Sequence, residues 1–229
     1  MNGSNPIKAQ KRVHGIYDLN TLNVLKKRDY FLFGFDFRPR SFNFLPQHNF
    51  LALLENSYSP IHKYYLHYAN EPDFVTMKMV NDLHAFFDKK GETYDSIVLE
   101  FSDQRELSFY QSFKTPFVWH FHEDSKLARD ILNDPLCVGA VIDLTYSKKL
   151  DNAEIHATIN NLYRIWSKSK NVKEMTLILL FDWKMEINRH DFVTNEHLTI
   201  SHPINSQVEI CYRHVDLVTL NNHLLELRG

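Results

Sequence analysis

The chain has 229 residues, with 26 Lys and Arg against 28 Asp and Glu, so its formal charge is −2. Hydrophobic residues make up 44% and charged residues 24%, a globular composition that excludes a disordered chain, a collagen-like repeat and a disulfide-stapled miniprotein. Near-neutral charge argues against nucleic acid as a partner, because a nucleic-acid surface needs a basic excess to displace counterions.

Residues 1–10 are polar and lack the apolar stretch of a signal peptide, so a flexible tail is expected there, followed by one domain over 11–229. Apolar runs of strand length then recur at 12–16, 30–37, 63–68, 96–101, 117–121, 138–144, 176–181 and 215–220. Most are nearly continuous, as expected for strands covered on both faces.

Amphipathic segments lie between these runs. Asp18 precedes Leu19, Leu22 and Leu25 on one helical stripe, and 47–56 has a weaker helical pattern. Asn70 and Pro72 start a segment in which Val75, Met79, Leu83 and Phe86 repeat. Asp103 and Asp124 precede shorter ones, and Ile155, Ile159, Leu162 and Trp166 form the clearest stripe. Ser206 and Glu209 have the spacing of a capping box. Eight strands alternating with about seven helices predict an α/β protein, a closed (β/α)8 TIM barrel. The alternative is a doubly wound open sheet, which would carry a glycine fingerprint after its first strand; Gly15-Ile16-Tyr17 is not one.

Cys137 and Cys211 stand in no CxxC pattern and read as buried, reduced thiols of a cytoplasmic protein. No apolar run approaches the ~18 residues that span a bilayer, so no membrane association is expected.

In such a barrel the functional groups project from the C-terminal ends of the strands. Those ends here are polar throughout: His14, Asp36 with Arg38, His67, Glu100, His120 with His122, Asp143, Asp182, and Asn221 with Asn222 and His223. A polar mouth that binds a small-molecule ligand follows, with Arg38, Arg40, Glu100, His120, Asp182 and Asn221 as candidate ligand-binding residues. Arg38 and Arg40 have the chemistry to clamp a carboxylate or phosphate. His14 and Asp143 are the candidate acid/base pair. His120 and His122 share one face of a strand and, with Glu100 or Asp143, have metal-ligand chemistry. An HxH pair among 13 histidines is weak, and no metal or cofactor is expected.

The sequence resembles one known family. Arg12-Val13-His14-Gly15-Ile16 is similar to the first strand of phosphoribosylanthranilate isomerase, a (β/α)8 barrel of tryptophan biosynthesis whose strand has the form Lys-Ile-Cys-Gly-Ile. Gly34-Phe35-Asp36-Phe37-Arg38-Pro39-Arg40-Ser41 resembles its second, Gly-Phe-x-Phe-x-Pro-Lys-Ser. Ile97-Val98-Leu99-Glu100 and Val138-Gly139-Ala140-Val141-Ile142-Asp143 are similar to the fourth and sixth strands, the latter ending in the family's catalytic aspartate. The resemblance follows the chain in order and is strongest over residues 12–44.

The departures shape the functional expectation. His14 stands where the family has its cysteine base, and Asn43 where it has an arginine that holds the anthranilate part. The family's phosphate site uses glycine-rich loops after the last three strands. The corresponding stretches here, 144–147, 181–184 and 220–223, contain no glycine. Each phosphate amide is a charge-assisted bond of roughly 1.5–3 kcal/mol, so losing two weakens binding about 100-fold or more.

The resemblance therefore implies a divergent barrel that has lost the isomerase activity, a pseudoenzyme serving as a small-ligand binder or interaction protein. The alternative it implies is an active aldose–ketose isomerase acting on a phosphoribosyl-amine, with His14 as base and Asp143 as acid. The last helix is expected to be short or missing, since the chain ends nine residues after Leu220. A bare flank there would suit a protein partner or self-association.

Overall fold

The computed structural model describes residues 9–145, 152–166, 175–184 and 197–226. Eight parallel strands close into a barrel in chain order: β1 (Gln10–His14), β2 (Leu32–Asp36), β3 (Lys63–Tyr68), β4 (Ile97–Phe101), β5 (Phe117–His120), β6 (Cys137–Asp143), β7 (Thr176–Leu180) and β8 (Leu198–Pro203). β8 pairs back onto β1, with Arg12 opposite Ser201 and His14 opposite Pro203. Closure removes the two edges that an open doubly wound sheet of these strands would leave exposed.

Among the described residues seven α-helices pack outside: α1 (Leu19–Lys27), α2 (Gln47–Ser57), α3 (Asp73–Lys90), α4 (Leu107–Ser112), α5 (Ala128–Leu132), α6 (Asn152–Trp166) and α7 (Leu217–Glu226). Asp18 caps α1 as expected, accepting from the Thr21 backbone N–H at 2.8 Å. Ile155, Ile159, Leu162 and Trp166 of α6 are buried as one stripe. The α3 stripe is rotated from the predicted one: Thr76, Met79, Val80, Leu83 and Phe87 are buried, while Val75 is exposed.

Strand residues alternate between two apolar environments. Leu32, Tyr65, Val98, Val118, Val141, Ile178 and Leu180 fill the barrel interior. Phe33, Phe35, Tyr64, Leu66, Leu99, Phe101 and Trp119 face the helices and account for much of the aromatic excess. α3 is 18 residues long, and no helix among the described residues is long and apolar enough to cross a membrane.

The structure corrects the sequence reading beyond Trp183. The eighth strand is β8, and the run at 215–220 instead enters α7. β8 escapes a search for apolar runs because Thr199 and Ser201 interrupt it. Ser206 and Glu209 start no helix; a small hairpin, β9 (Glu209–Cys211) and β10 (His214–Val215), follows. The last helix is present and short, so the flank expected to be bare carries α7. Trp183 stacks on His223 of that helix and on His202 of β8. Both cysteines are free, but Cys211 is exposed on the hairpin rather than buried.

Candidate functional site

The C-terminal strand ends surround a cavity of about 1260 Å³. Beneath it lies the polar upper layer of the barrel interior, of which His14, Asp36 and His67 line the cavity. Arg12 and His14 of β1, Asp36 of β2, His67 of β3, Glu100 of β4 and His120 of β5 are all buried. Period-two alternation places them there, two polar residues on β1 and one above an apolar layer on its neighbours.

Two linked networks hold this layer. In the first, Arg12 donates through Nη1 and Nη2 to the Glu100 carboxylate at 2.7 and 3.2 Å, and through Nε to Ser201 Oγ at 2.9 Å. Its guanidinium also lies over the Tyr65 ring. His120 Nε2 is 2.8 Å from Glu100 Oε1. Burial pushes the Glu100 carboxyl up, but the Arg12 guanidinium and the neighbouring histidines reverse this and hold it well below the usual carboxylate range.

In the second network His67 Nδ1 faces His14 Nε2 at 3.4 Å, and His67 Nε2 lies 2.8 Å from Ser102 Oγ. Burial lowers the His14 pKa to about 4 against the opposing pull of Glu100, and lowers His67 well below its ordinary value. Both are therefore neutral at physiological pH. His14 Nδ1 is buried without a hydrogen-bond partner. It rests against Gly34, where a Cβ would sit 2.7 Å from it. Only glycine at position 34 lets β2 pass beneath this ring.

The rim carries the remaining charges. Asp36 accepts from Arg38 Nε at 2.9 Å and Nη2 at 2.6 Å. Burial raises the Asp36 carboxyl, and Arg38 more than offsets this. Asp143 accepts from the Thr145 backbone N–H and hydroxyl, and Asp182 accepts from Asn205 Nδ2. Arg40, Glu71, Glu209 and Tyr212 also line the cavity.

Of the predicted site residues, His14, Arg38, Arg40, Asp143 and Asp182 line this one cavity. Glu100 and His120 lie below it and hold each other. Asn221 is misplaced by the wrong eighth strand: it sits on α7, where its Oδ1 accepts from Arg28 Nε. The pair of His120 with His122 does not form a site, because β5 ends at His120. The His122 ring packs against Trp119, and its Nε2 faces the Ser102 carbonyl. Asn43 lines the cavity and donates from Nδ2 to the Ile204 carbonyl at 2.6 Å.

Asp36 and His67, named from the sequence only as polar strand ends, line the cavity, and Arg12 lies in the buried layer beneath it without having been proposed for the site. The available signal was the spacing of Arg12 and His14, two polar groups on one strand face. Of the glycine-free stretches, Tyr146 and Ser147 lie outside the described residues. The true loop after β8, beginning Ile204-Asn205-Ser206, also lacks glycine.

Eight parallel strands closed around an apolar interior make this a (β/α)8 barrel, with a polar cavity at the C-terminal ends of its strands. Solved phosphoribosylanthranilate isomerases share the fold. The enzyme from Thermus thermophilus aligns at TM-score 0.61 and 13% identity, over 96% of this chain and 100% of that one. TrpF from Jonesia denitrificans aligns at 0.62 and 13%, over 97% and 98%.

A structure of the isomerase in complex with reduced 1-(o-carboxyphenylamino)-1-deoxyribulose 5-phosphate aligns at 0.66 and 11%, over 97% and 100%. No family model matches the sequence, and no curated protein matches it. The barrel expected from the resemblance is the barrel observed, and at these identities the likeness is one of fold.

Proposed function

We propose that this barrel binds a small polar molecule at its mouth and has lost phosphoribosylanthranilate isomerisation. The carrying observation is the charge of the cavity. Glu71, Asp143, Asp182 and Glu209 line it, whereas among the described residues its cationic lining is Arg38 and Arg40, and Arg38 is engaged by Asp36. Two like charges 4 Å apart near a protein surface repel by about 4 kcal/mol. That offsets a charge-assisted hydrogen bond to phosphate of roughly 1.5–3 kcal/mol.

The glycine-free loops after β7 and β8 support the same reading, because side chains keep backbone amides from closing on an anion. His14 is poorly placed as a substrate base, with Nδ1 buried against Gly34 and Nε2 turned to His67. Carboxylates and amides suit hydroxyl or amino groups, and the Phe42 and Tyr212 rings at the rim offer an apolar face. A neutral or cationic polyol or amine has this chemistry.

The test is isomerase turnover by the purified chain, with His14→Ala as control for contaminating enzyme, and calorimetry with the reduced phosphate compound named above. No turnover and no saturable binding are expected. Turnover that disappears in His14→Ala overturns the proposal and establishes the isomerase reading, with His14 and Asp143 as base and acid.

A further inference from the structure

We propose that His14, Asp36 and His67 bind a divalent transition-metal ion of the zinc class at the floor of the mouth cavity. The three residues lie at the C-terminal ends of consecutive strands, His14 and Asp36 as the last residues of β1 and β2 and His67 one before the last of β3, and one ligand atom from each falls within 4.8 Å of the others. All three are buried, and all three line the cavity. Two imidazoles and one carboxylate are the donor set of catalytic-type zinc and related ions, and three protein ligands leave a coordination position open toward the mouth.

The spacing of the two imidazoles fits two ligands of one ion. His14 Nε2 and His67 Nδ1 are 3.4 Å apart, long for a hydrogen bond, whose usual length is about 2.9–3.0 Å. Two nitrogens at ~2.0–2.1 Å from one tetrahedral ion stand about 3.4 Å from each other.

The surroundings orient the ligands as a metal requires. With Nε2 of His67 donating to the Ser102 hydroxyl, Nδ1 keeps its lone pair directed at His14. Arg38 holds the Asp36 carboxylate from the loop side, giving Oδ1 two hydrogen bonds, from its backbone N–H and Nε, and Oδ2 one, from Nη2; Oδ2 keeps a lone pair to ligate while Arg38 fixes the plane. Gly34 leaves room for the His14 ring. The acidic lining that disfavours phosphate favours a cation.

His67, Glu100 and His120 form a second close set. Glu100 is saturated there by Arg12, and neither Glu100 nor His120 lines the cavity, so that set supports the floor rather than holding the ion.

The test is calorimetric titration of Zn(II) into the full chain, purified without a histidine tag and stripped with chelator, together with absorption of the Co(II) form. One equivalent with sub-micromolar affinity is expected, with the visible d–d bands of a tetrahedral Co(II) site. Asp36→Asn and His67→Ala should each weaken binding at least 10-fold, while His48→Ala, an exposed histidine on α2, should not.

Far-UV circular dichroism establishes that the variants fold; if His67→Ala does not, the isosteric Asp36→Asn decides. Less than half an equivalent bound overturns the proposal. So does binding that is equally strong in the folded floor variants, the mark of adventitious surface histidines. Zinc titration reads the floor itself, so its outcome stands whichever molecule the mouth takes.

Discussion

Replacing Glu100 by Gln keeps the size of the side chain and removes its charge, leaving the Arg12 guanidinium fully buried with no counter-charge. Breaking one side of such a pair costs about 3–5 kcal/mol, a large share of the roughly 5–15 kcal/mol that holds a domain folded. At about 2–4 °C per kcal/mol for a chain of this size, the midpoint should fall by about 6–20 °C. Urea denaturation followed by circular dichroism measures the free energy, and a thermal melt measures the shift.

The double variant Arg12→Met with Glu100→Leu should recover most of the loss, because apolar residues of similar volume replace a buried pair at little cost. The pH dependence has a definite sign. The Glu100 pKa is well below its ordinary 4.5 in the folded state, so its stabilisation is complete above about pH 4.5. It is lost as the pH falls toward the folded value. A Glu100→Gln protein within 1 kcal/mol of wild type at pH 7 would refute the view that this pair anchors the barrel interior.

Three further expectations rest on other parts of the molecule. The His14 pKa is lowered from 6.5 to about 4, so the unfolded chain binds the extra proton. Stability should therefore rise with pH between about 4 and 6.5 and level off above, and NMR titration showing His14 charged at pH 6 would contradict this. Gly34→Ala drives a Cβ to within 2.7 Å of His14 Nδ1 and 3.0 Å of its Cα; overpacking of this kind costs about 1–3 kcal/mol, read by urea midpoint, and an unchanged midpoint would mean that β1 and β2 separate readily.

Trp183 donates to the Pro203 carbonyl at 2.6 Å and stacks on His202 and His223. Trp183→Ala should cost about 3–5 kcal/mol and expose α7 to limited proteolysis. Digestion at the wild-type rate would show that Leu220 and Leu224 hold that helix by themselves.

The first seven strands were legible from the chain because each is a run of apolar residues that must be covered on both faces, and such runs are local facts. The α1 cap at Asp18 and the α6 stripe were legible for the same reason. β8 was not, because its inward residues Thr199 and Ser201 are polar and become acceptable only inside the barrel, where Ser201 meets Arg12 across 189 positions of sequence. The run that took its place, 215–220, is helical, and Asp216 caps α7 by accepting from the Val218 and Thr219 backbone N–H groups. An aspartate before Leu217 carried that signal, but the apolar run outweighed it.

A parallel barrel with a polar mouth is readable from the chain alone, since alternation of runs and stripes and the polar residue ending each run are written in single segments. The sequence also places His14 and Asp143 at that mouth. What those groups do to one another is set by the closed fold. Arg12 and Glu100 neutralise each other from 88 residues apart, and His14 meets His67 from 53 apart. Asp36 has its carboxylate claimed by Arg38. Whether a buried charge is paired, or an imidazole nitrogen faces a proton or a lone pair, depends on distances of a few ångströms. Closure of eight strands sets those distances; no stretch of sequence does.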